Sequence, residues 1–291
     1  MRAKGMTYDT GFIRNRRTSR PDFDPGVVRR ELEIIRDDLH CNAVQIVGGD
    51  PDRLETAARC AADLGLEVWF SPYPLELPAE EINSLFAECA ERAERLRRAG
   101  AEVVFVAGVE MSLMNPGFID GDTVQERLHR LFARTEGRAE LLAEASTRVS
   151  EFLGAAAALI RARFGGRITY ACIPFEQIDW TPFDIVSVEL IRSAEVADRF
   201  RDGVRTLVAQ GKPLAITGFG TAAWRGSGDI APRSMEIVEL DPRTEEPIRL
   251  NGTYLRDETE QASYLAELLE IFDSEGVDST FVFLFALHTH P

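Results

Sequence analysis

Short runs of β-forming residues alternate with amphipathic helical patterns along almost the whole chain of 291 residues. The run from Ala101 to Val109 is mostly apolar, which is typical of a parallel strand covered on both faces by helices. Seven comparable runs begin near residues 4, 42, 66, 167, 184, 214 and 279, and we count helices between seven successive pairs. This alternation predicts an α/β chain that folds as a single (β/α)8 TIM barrel over residues 1–291.

Two stretches depart from a regular barrel. Residues from about 224 to 253 are rich in Pro, Gly and charges without a helical period, so we predict a long loop excursion over the barrel mouth. The eighth strand is followed almost at once by Pro291, so the barrel is expected to lack its final helix. An uncovered parallel strand exposes apolar surface, and a homo-oligomer that covers the strand-8 side is one solution. The alternative fold is a doubly wound open sheet, but no glycine-rich dinucleotide loop follows the first strand.

Charge and cysteine usage restrict the partners. The net charge of −15 argues against nucleic acid and anionic membranes, because phosphate binding requires clustered Lys and Arg. The four cysteines form no CxxC pair, which favours buried thiols in a reducing compartment. The sequence has no apolar run of membrane-spanning length, and its first residues lack a signal-peptide core. We therefore expect a cytoplasmic protein without a membrane partner.

Residues just past the C-terminal ends of barrel strands line the active-site mouth. Here these positions hold carboxylates, tyrosines, an amide and a tryptophan, which suit a polyhydroxylated, sugar-like small molecule. Glu176 and Asp179 also follow a strand, but the site residues that we select are Tyr8, Asp9, Gln45, Tyr73, Glu110, Glu189 and Trp224. No metal or organic cofactor is predicted. His288 and His290 have a metal-ligand spacing, but they lie at the terminus with no third ligand evident.

Two segments carry a family resemblance. Val-Ala-Gly-Val-Glu-Met-Ser at 106–112 and Lys-Pro-Leu-Ala-Ile-Thr-Gly-Phe-Gly at 212–220 resemble catalytic strands four and seven of the clan of retaining (β/α)8 glycosidases. The opening Lys-Gly-Met-Thr-Tyr-Asp and residues 42–48 resemble a smaller glycosidase-like group, some of whose members are labelled abortive-infection proteins. The resemblance implies a glycoside hydrolase with Glu110 as general acid/base. A carboxyl in that role is expected to have a raised pKa.

The same resemblance assigns the nucleophile to the position of Gly218, and a glycine cannot attack. Two further departures are Val109, where the clan usually has asparagine, and Glu189, close to where it often has a tyrosine. Three explanations remain open. Gly218 is an engineered change; or it is natural, with Glu189, Asp9 or an activated water in the role; or the barrel is non-hydrolytic. A non-hydrolytic barrel would be a biosynthetic enzyme using Glu110 for proton transfer, or a ligand-binding pseudo-glycosidase.

Overall fold

The computed structural model describes residues 1–14, 17–132, 136–241 and 247–288. Eight parallel strands form a barrel in the order β5-β4-β3-β2-β1-β8-β7-β6. They are β1 (Ala3–Asp9), β2 (Ala43–Gly48), β3 (Glu67–Pro72), β4 (Val103–Val109), β5 (Arg167–Ala171), β6 (Val186–Glu189), β7 (Leu214–Phe219) and β8 (Ser279–Val282). A single parallel bridge between Cys172 and Val188 joins the two end strands and nearly closes the barrel. The predicted (β/α)8 fold is confirmed.

Eight α-helices lie in the described part of the chain. They are α1 (Pro25–Asp37), α2 (Pro51–Asp63), α3 (Ala79–Arg98), α4 (Met111–Met114), α5 (Val124–Phe132), α6 (Arg138–Arg161), α7 (Ala197–Val208) and α8 (Glu258–Ser274). The first two begin as the sequence predicts, with an aspartate cap followed by proline. The side chain of Asp24 accepts from the N–H of Val27 at 2.8 Å, and that of Asp50 accepts from Asp52 at 2.9 Å.

The helix count from the sequence is wrong at one connection. Residues 172–185 join β5 to β6 without a helix, so helices lie between six strand pairs and not seven. Pro174 and Pro182 interrupt the helical pattern there, because proline lacks the N–H that a helix interior requires. A cavity of about 300 Å³ lies at this connection, lined partly by Trp180, Val188 and Leu207.

The predicted excursion contains more regular structure than expected. It holds a 3-10 helix at Ser227–Arg233 and an antiparallel pair formed by Val238–Leu240 and Pro247–Leu250. A second, shorter antiparallel pair joins Ile13–Arg14 to Arg17–Thr18 after β1. Residues 283–288, the described segment after β8, contain no helix. In the described ranges, no helix is both long enough and apolar enough to cross a membrane.

The barrel interior is apolar in its middle and charged at its N-terminal end. Trp69 and Phe281 are fully buried, with ring centroids 4.7 Å apart. Below them, the buried Glu67 accepts from Trp69 Nε1 at 2.9 Å and from Arg167 at 3.3 Å, and it also pairs with Arg2. A glycine is required at position 5, since a Cβ there would lie 2.5 Å from the Phe281 ring. This packing closes the N-terminal end and leaves the opposite end for a site.

Candidate active site

Glu110 follows β4 in an unusual backbone conformation. Its φ and ψ are 41° and 45°, in the left-handed region that disfavours residues with a side chain. Its N–H donates to the carbonyl of Ala171 on β5 at 3.0 Å. Such strain persists only where the surroundings hold it, and it is concentrated at functional sites. The chain therefore turns sharply at the carboxylate that the sequence singles out.

Glu189 is the last residue of β6, and it pairs in register with Gly218 of β7. A Cβ added at Gly218 would lie 3.2 Å from Cδ and 3.4 Å from Oε1 of Glu189. The Glu189 carboxyl therefore lies beside Gly218, close to where a side chain at position 218 would begin. The absence of a side chain on Gly218 leaves room for the neighbouring strand's carboxyl.

The carboxyls of Glu110 and Glu189 hydrogen-bond to each other. Burial, followed by the negative charge of Glu110, raises the pKa of Glu189 well above its ordinary value. Burial is also the main reason that the pKa of Glu110 is raised, as expected of an acid/base. The hydroxyl of Tyr73 donates to Glu189 Oε1 at 3.4 Å. Within the described residues, no salt bridge neutralises either carboxyl, so the pair retains a proton more readily than isolated glutamates would.

A third carboxyl, which the sequence analysis did not select, lies beside this pair. Glu176 follows β5 and is 6% exposed. It accepts from the N–H of Ser112 at 3.0 Å, from Ser112 Oγ at 2.5 Å and from the hydroxyl of Tyr170 at 2.7 Å. Its negative charge contributes to the raised pKa of both Glu110 and Glu189. The sequence places Glu176 after the fifth strand, but no motif distinguished it from other carboxylates in loops.

The other predicted site residues divide between the mouth and the rest of the molecule. Asp9 is 3% exposed and accepts from Ser19 Oγ at 2.6 Å, and burial raises its pKa. Tyr73 is likewise nearly buried, next to Glu189. Gln45 is fully buried inside the barrel, where its Nε2 donates to Ser71 Oγ at 3.5 Å.

Tyr8 and Trp224 lie elsewhere. The Tyr8 side chain faces α1, where its hydroxyl donates to Glu31 at 2.5 Å and accepts from Arg20 at 2.8 Å. Successive strand side chains point to opposite faces, so an inward Asp9 requires an outward Tyr8. Trp224 packs within the excursion, with its Nε1 donating to the carbonyl of Ser234 at 3.0 Å and its ring 5.2 Å from Tyr254.

No group of three or more His, Cys, Asp or Glu side chains in the described ranges is arranged to hold a metal ion. Of the terminal histidine pair, His288 lies near Asp9, whose charge acts on it, although burial lowers its pKa overall. His290 lies outside the described residues. The absence of a cofactor therefore stays a prediction from the sequence.

Comparison with known proteins relates the fold to glycosidases. No protein-family profile and no curated protein sequence matches the chain. A GH113 beta-1,4-mannanase structure matches with a TM-score of 0.66 at 16% identity, over 100% of this chain and 91% of that one. The GH113 beta-mannanase of Alicyclobacillus acidocaldarius gives 0.65 at 16% identity, over 99% and 88% of the chains. A beta-glucuronidase from Ruminococcus gnavus gives 0.54 at 14% identity, over 98% of this chain and 42% of the other. The chain therefore has the TIM-barrel fold of these glycosidases.

Proposed function

We propose that this protein is a retaining glycoside hydrolase in which Glu110 is the general acid/base and Glu189 is the nucleophile. The observation that carries the proposal is the hydrogen-bonded pair of carboxyls at the C-terminal end of the barrel. In this assignment Glu189 of β6 takes the role that the family resemblance gives to position 218 of β7. Burial raises the pKa of Glu110, which supports its role as proton donor. The pKa of Glu189 is raised further, so the proton that the pair shares must pass to Glu110 before Glu189 attacks.

The closeness of the two carboxyls favours the retaining reaction. Retaining enzymes hold the two groups about 5–5.5 Å apart, whereas inverting enzymes keep about 6.5–9.5 Å between them for a water. Two carboxyls within hydrogen-bonding reach of each other are nearer to the retaining separation than to the inverting one. A sugar ring entering between the two carboxyls would break their mutual hydrogen bond and bring the substrate into contact with both.

The reaction then has two steps. The ionised Glu189 attacks the anomeric carbon as the bond to the leaving oxygen breaks, and Glu110 gives its proton to that oxygen. In the second step Glu110 takes a proton from water, and the resulting oxygen attacks the anomeric carbon and releases the Glu189 carboxylate. Tyr73, which donates to Glu189 Oε1, steadies the attacking group. The pair titrates as a unit, so its single proton is available to Glu110 when Glu189 is ionised.

The charge of the mouth favours a neutral substrate. Asp9, Glu110, Glu176 and Glu189 are grouped there. A sugar carboxylate would be repelled by these groups, so a neutral β-glycoside is expected to bind better than a β-glucuronide. Among neutral sugars, the GH113 beta-1,4-mannanase neighbours favour β-mannosides as the first substrates to try.

The decisive experiment removes the carboxyl of Glu189 on β6 and introduces one at position 218 on β7. Hydrolysis of 2,4-dinitrophenyl β-glycosides would be measured for the wild type, Glu189→Ala, Gly218→Glu and the double variant. We expect activity in the wild type, almost none in Glu189→Ala, and partial recovery in the double variant. Gly218→Glu alone is expected to reduce activity, since its side chain would begin 3.2 Å from the Glu189 carboxyl carbon.

Azide provides a stereochemical control. With Glu189→Ala, azide should attack directly and give the α-glycosyl azide by a single inversion. With Glu110→Ala it should intercept the covalent intermediate and give the β-glycosyl azide. A folded wild type that turns over no glycoside in the panel would contradict the hydrolase and favour the ligand-binding or proton-transfer barrel. Full activity in Glu189→Ala would contradict the assignment of the nucleophile.

A further inference from the structure

Glu176 is a buried carboxyl that the two-step reaction does not use, and its hydrogen bonds favour its charged form. The groups that contact its side-chain oxygens all donate to it: the N–H and Oγ of Ser112, the hydroxyl of Tyr170 and the N–H of Ile173. The Tyr170 hydroxyl oxygen also accepts from the N–H of Met111 at 2.7 Å, which favours an orientation in which the hydroxyl proton points to Glu176. These donors favour the anion, since a protonated carboxyl would have to donate in return, whereas burial acts in the opposite direction and raises the pKa of Glu176.

The contacts of this anion converge on the turn that carries Glu110. Met111 and Ser112 are the two residues after Glu110, and their N–H groups bond to Tyr170 and Glu176 respectively. On the other side, the N–H of Glu110 bonds to the carbonyl of Ala171 on β5. Three consecutive backbone N–H groups are thus tied to β5 and its exit loop. These bonds offset the cost of the left-handed conformation at Glu110.

The same anion acts on Glu110 through its charge. The ionisable groups that face the acid/base are Glu189 at the end of β6, Tyr73 after β3, and Cys172 and Glu176 after β5. Of these, Glu176 accepts four hydrogen bonds, and each of them favours its ionised form against the effect of burial. A fixed negative charge beside a carboxyl pair makes loss of the pair's proton less favourable.

We propose that Glu176, together with Tyr170, is a positioning residue that holds the Glu110 turn and keeps the transferable proton on the Glu110–Glu189 pair. The effect of Glu176 on catalysis rests on the proposed hydrolase function. The effect on proton affinity is measurable without turnover.

The test is a titration of the pair by NMR of ¹³C-labelled glutamate carboxyls, with Glu110→Gln and Glu189→Gln used to assign the signals. Glu176→Gln removes the charge and should lower the pair's upper apparent pKa by about one unit. Tyr170→Phe keeps the charge and loses two hydrogen bonds, so the pKa should move much less. Ser112→Ala withdraws one donor from the anion, and it should give a smaller shift in the direction of Glu176→Gln. It serves as the second variant if Glu176→Gln does not fold.

Kinetics provide a second readout. In Glu176→Gln the basic limb of the kcat/KM profile should move to lower pH. At pH 7, kcat/KM should fall about tenfold for a poor leaving group such as an alkyl glycoside, and much less for 2,4-dinitrophenyl, which departs without protonation. An unshifted titration in both Glu176→Gln and Ser112→Ala would overturn the role of Glu176. If the wild type turns over no glycoside but the variants still shift the titration of the pair, the hydrolase function is refuted and the electrostatic effect of Glu176 is supported.

Discussion

The two ends of the barrel bury carboxylates in opposite ways. At the N-terminal end, Glu67 is surrounded by compensating groups: the guanidiniums of Arg2 and Arg167 and the indole N–H of Trp69. At the C-terminal end, Glu110 and Glu189 have each other, the Tyr73 hydroxyl and the further charge of Glu176. The same residue type is therefore neutralised at one end and placed against like charge at the other.

The carboxylate at the N-terminal end contributes to stability, whereas those at the C-terminal end are suited to chemistry. A compensated carboxylate closes the barrel floor, and its removal leaves its partners without a counter-charge. Acids that repel one another reduce stability, but they acquire the proton affinity that catalysis near neutral pH requires. Matched substitutions at the two ends should therefore have opposite consequences.

The largest difference is expected in activity. Glu189→Gln should lower kcat/KM by about 10³–10⁵-fold, because an amide cannot attack the anomeric carbon. Glu67→Gln, the same change at the other end, should leave kcat/KM of the folded protein within about twofold. Both variants would be measured on the same aryl glycoside. Comparable losses of kcat/KM would contradict the assignment of catalysis to the C-terminal end alone.

The next effect is on stability. Glu67→Ala should lower the free energy of unfolding by about 2 kcal/mol, since Trp69 Nε1 loses its acceptor and two arginines lose a buried partner. The effect is limited because the Arg2 and Arg167 side chains are 39% and 44% exposed, so water can solvate them. Urea denaturation at pH 7 measures it. An unchanged midpoint would contradict the stabilising role of the floor cluster.

At the mouth, removal of a carboxylate should raise the free energy of unfolding instead of lowering it, and the gain should depend on pH. The pKa of Glu189 is raised in the folded protein, so near pH 4 the carboxyl is largely protonated in both the folded and unfolded states. As the pH rises through the folded pKa, the wild type loses stability, because the unfolded chain has already released that proton. Glu189→Gln avoids the loss and should be more stable at pH 7, by about 1.4 kcal/mol for each unit of raised pKa.

Thermal denaturation of this variant and the wild type from pH 4 to pH 8 checks the prediction. The gain in melting temperature should grow with pH. A constant difference across the range, or a variant less stable at pH 7, would contradict it.

The smallest effect is expected at Tyr73. Tyr73→Phe removes one long hydrogen bond of 3.4 Å to Glu189. The loss should be about 0.5–1 kcal/mol, which lowers kcat about two- to fivefold. Phe12, whose ring lies 5.0 Å from that of Tyr73, should hold the phenyl ring in place. A loss of 10³-fold or more would give Tyr73 a direct part in the chemistry.

Sequence patterns correctly predicted the features that depend on neighbouring residues in the chain. The apolar run of β4, the Asp-Pro starts of α1 and α2, and a carboxylate of raised pKa after β4 could all be predicted. The outward direction of Tyr8 was also accessible, since strand alternation separates it from Asp9. The missing β5–β6 helix was accessible too, because residues 174–183 contain two prolines and no helical pattern, and the count of seven helical connections was wrong.

The relation between Glu189 and Gly218 was not accessible, because it depends on strand register. A register shift between Val188 and Glu189 pairs Glu189 with Gly218 across β6 and β7. One residue of difference in that shift would direct the carboxyl elsewhere. The position of Glu176 beside the pair depends on the course of an irregular loop, which no periodic pattern in the sequence describes.

The incomplete closure between β5 and β6 has a mechanical consequence. The two end strands of the barrel meet at one bridge. Glu189 ends β6 at this split, and Glu110, which follows β4, bonds through its N–H to Ala171 of β5 on the other side. Backbone bonds such as Glu189 N–H to Cys172 O, at 2.7 Å, join the two ends without a continuous ladder. A joint with few bonds deforms at lower free energy than a full ladder. Thr169 of β5 adds side-chain bonds to Ile185 and Ser187 across the split, so the separation of Glu189 from Glu110 depends on a small set of bonds and not on a ladder like those of the other seven strand pairs.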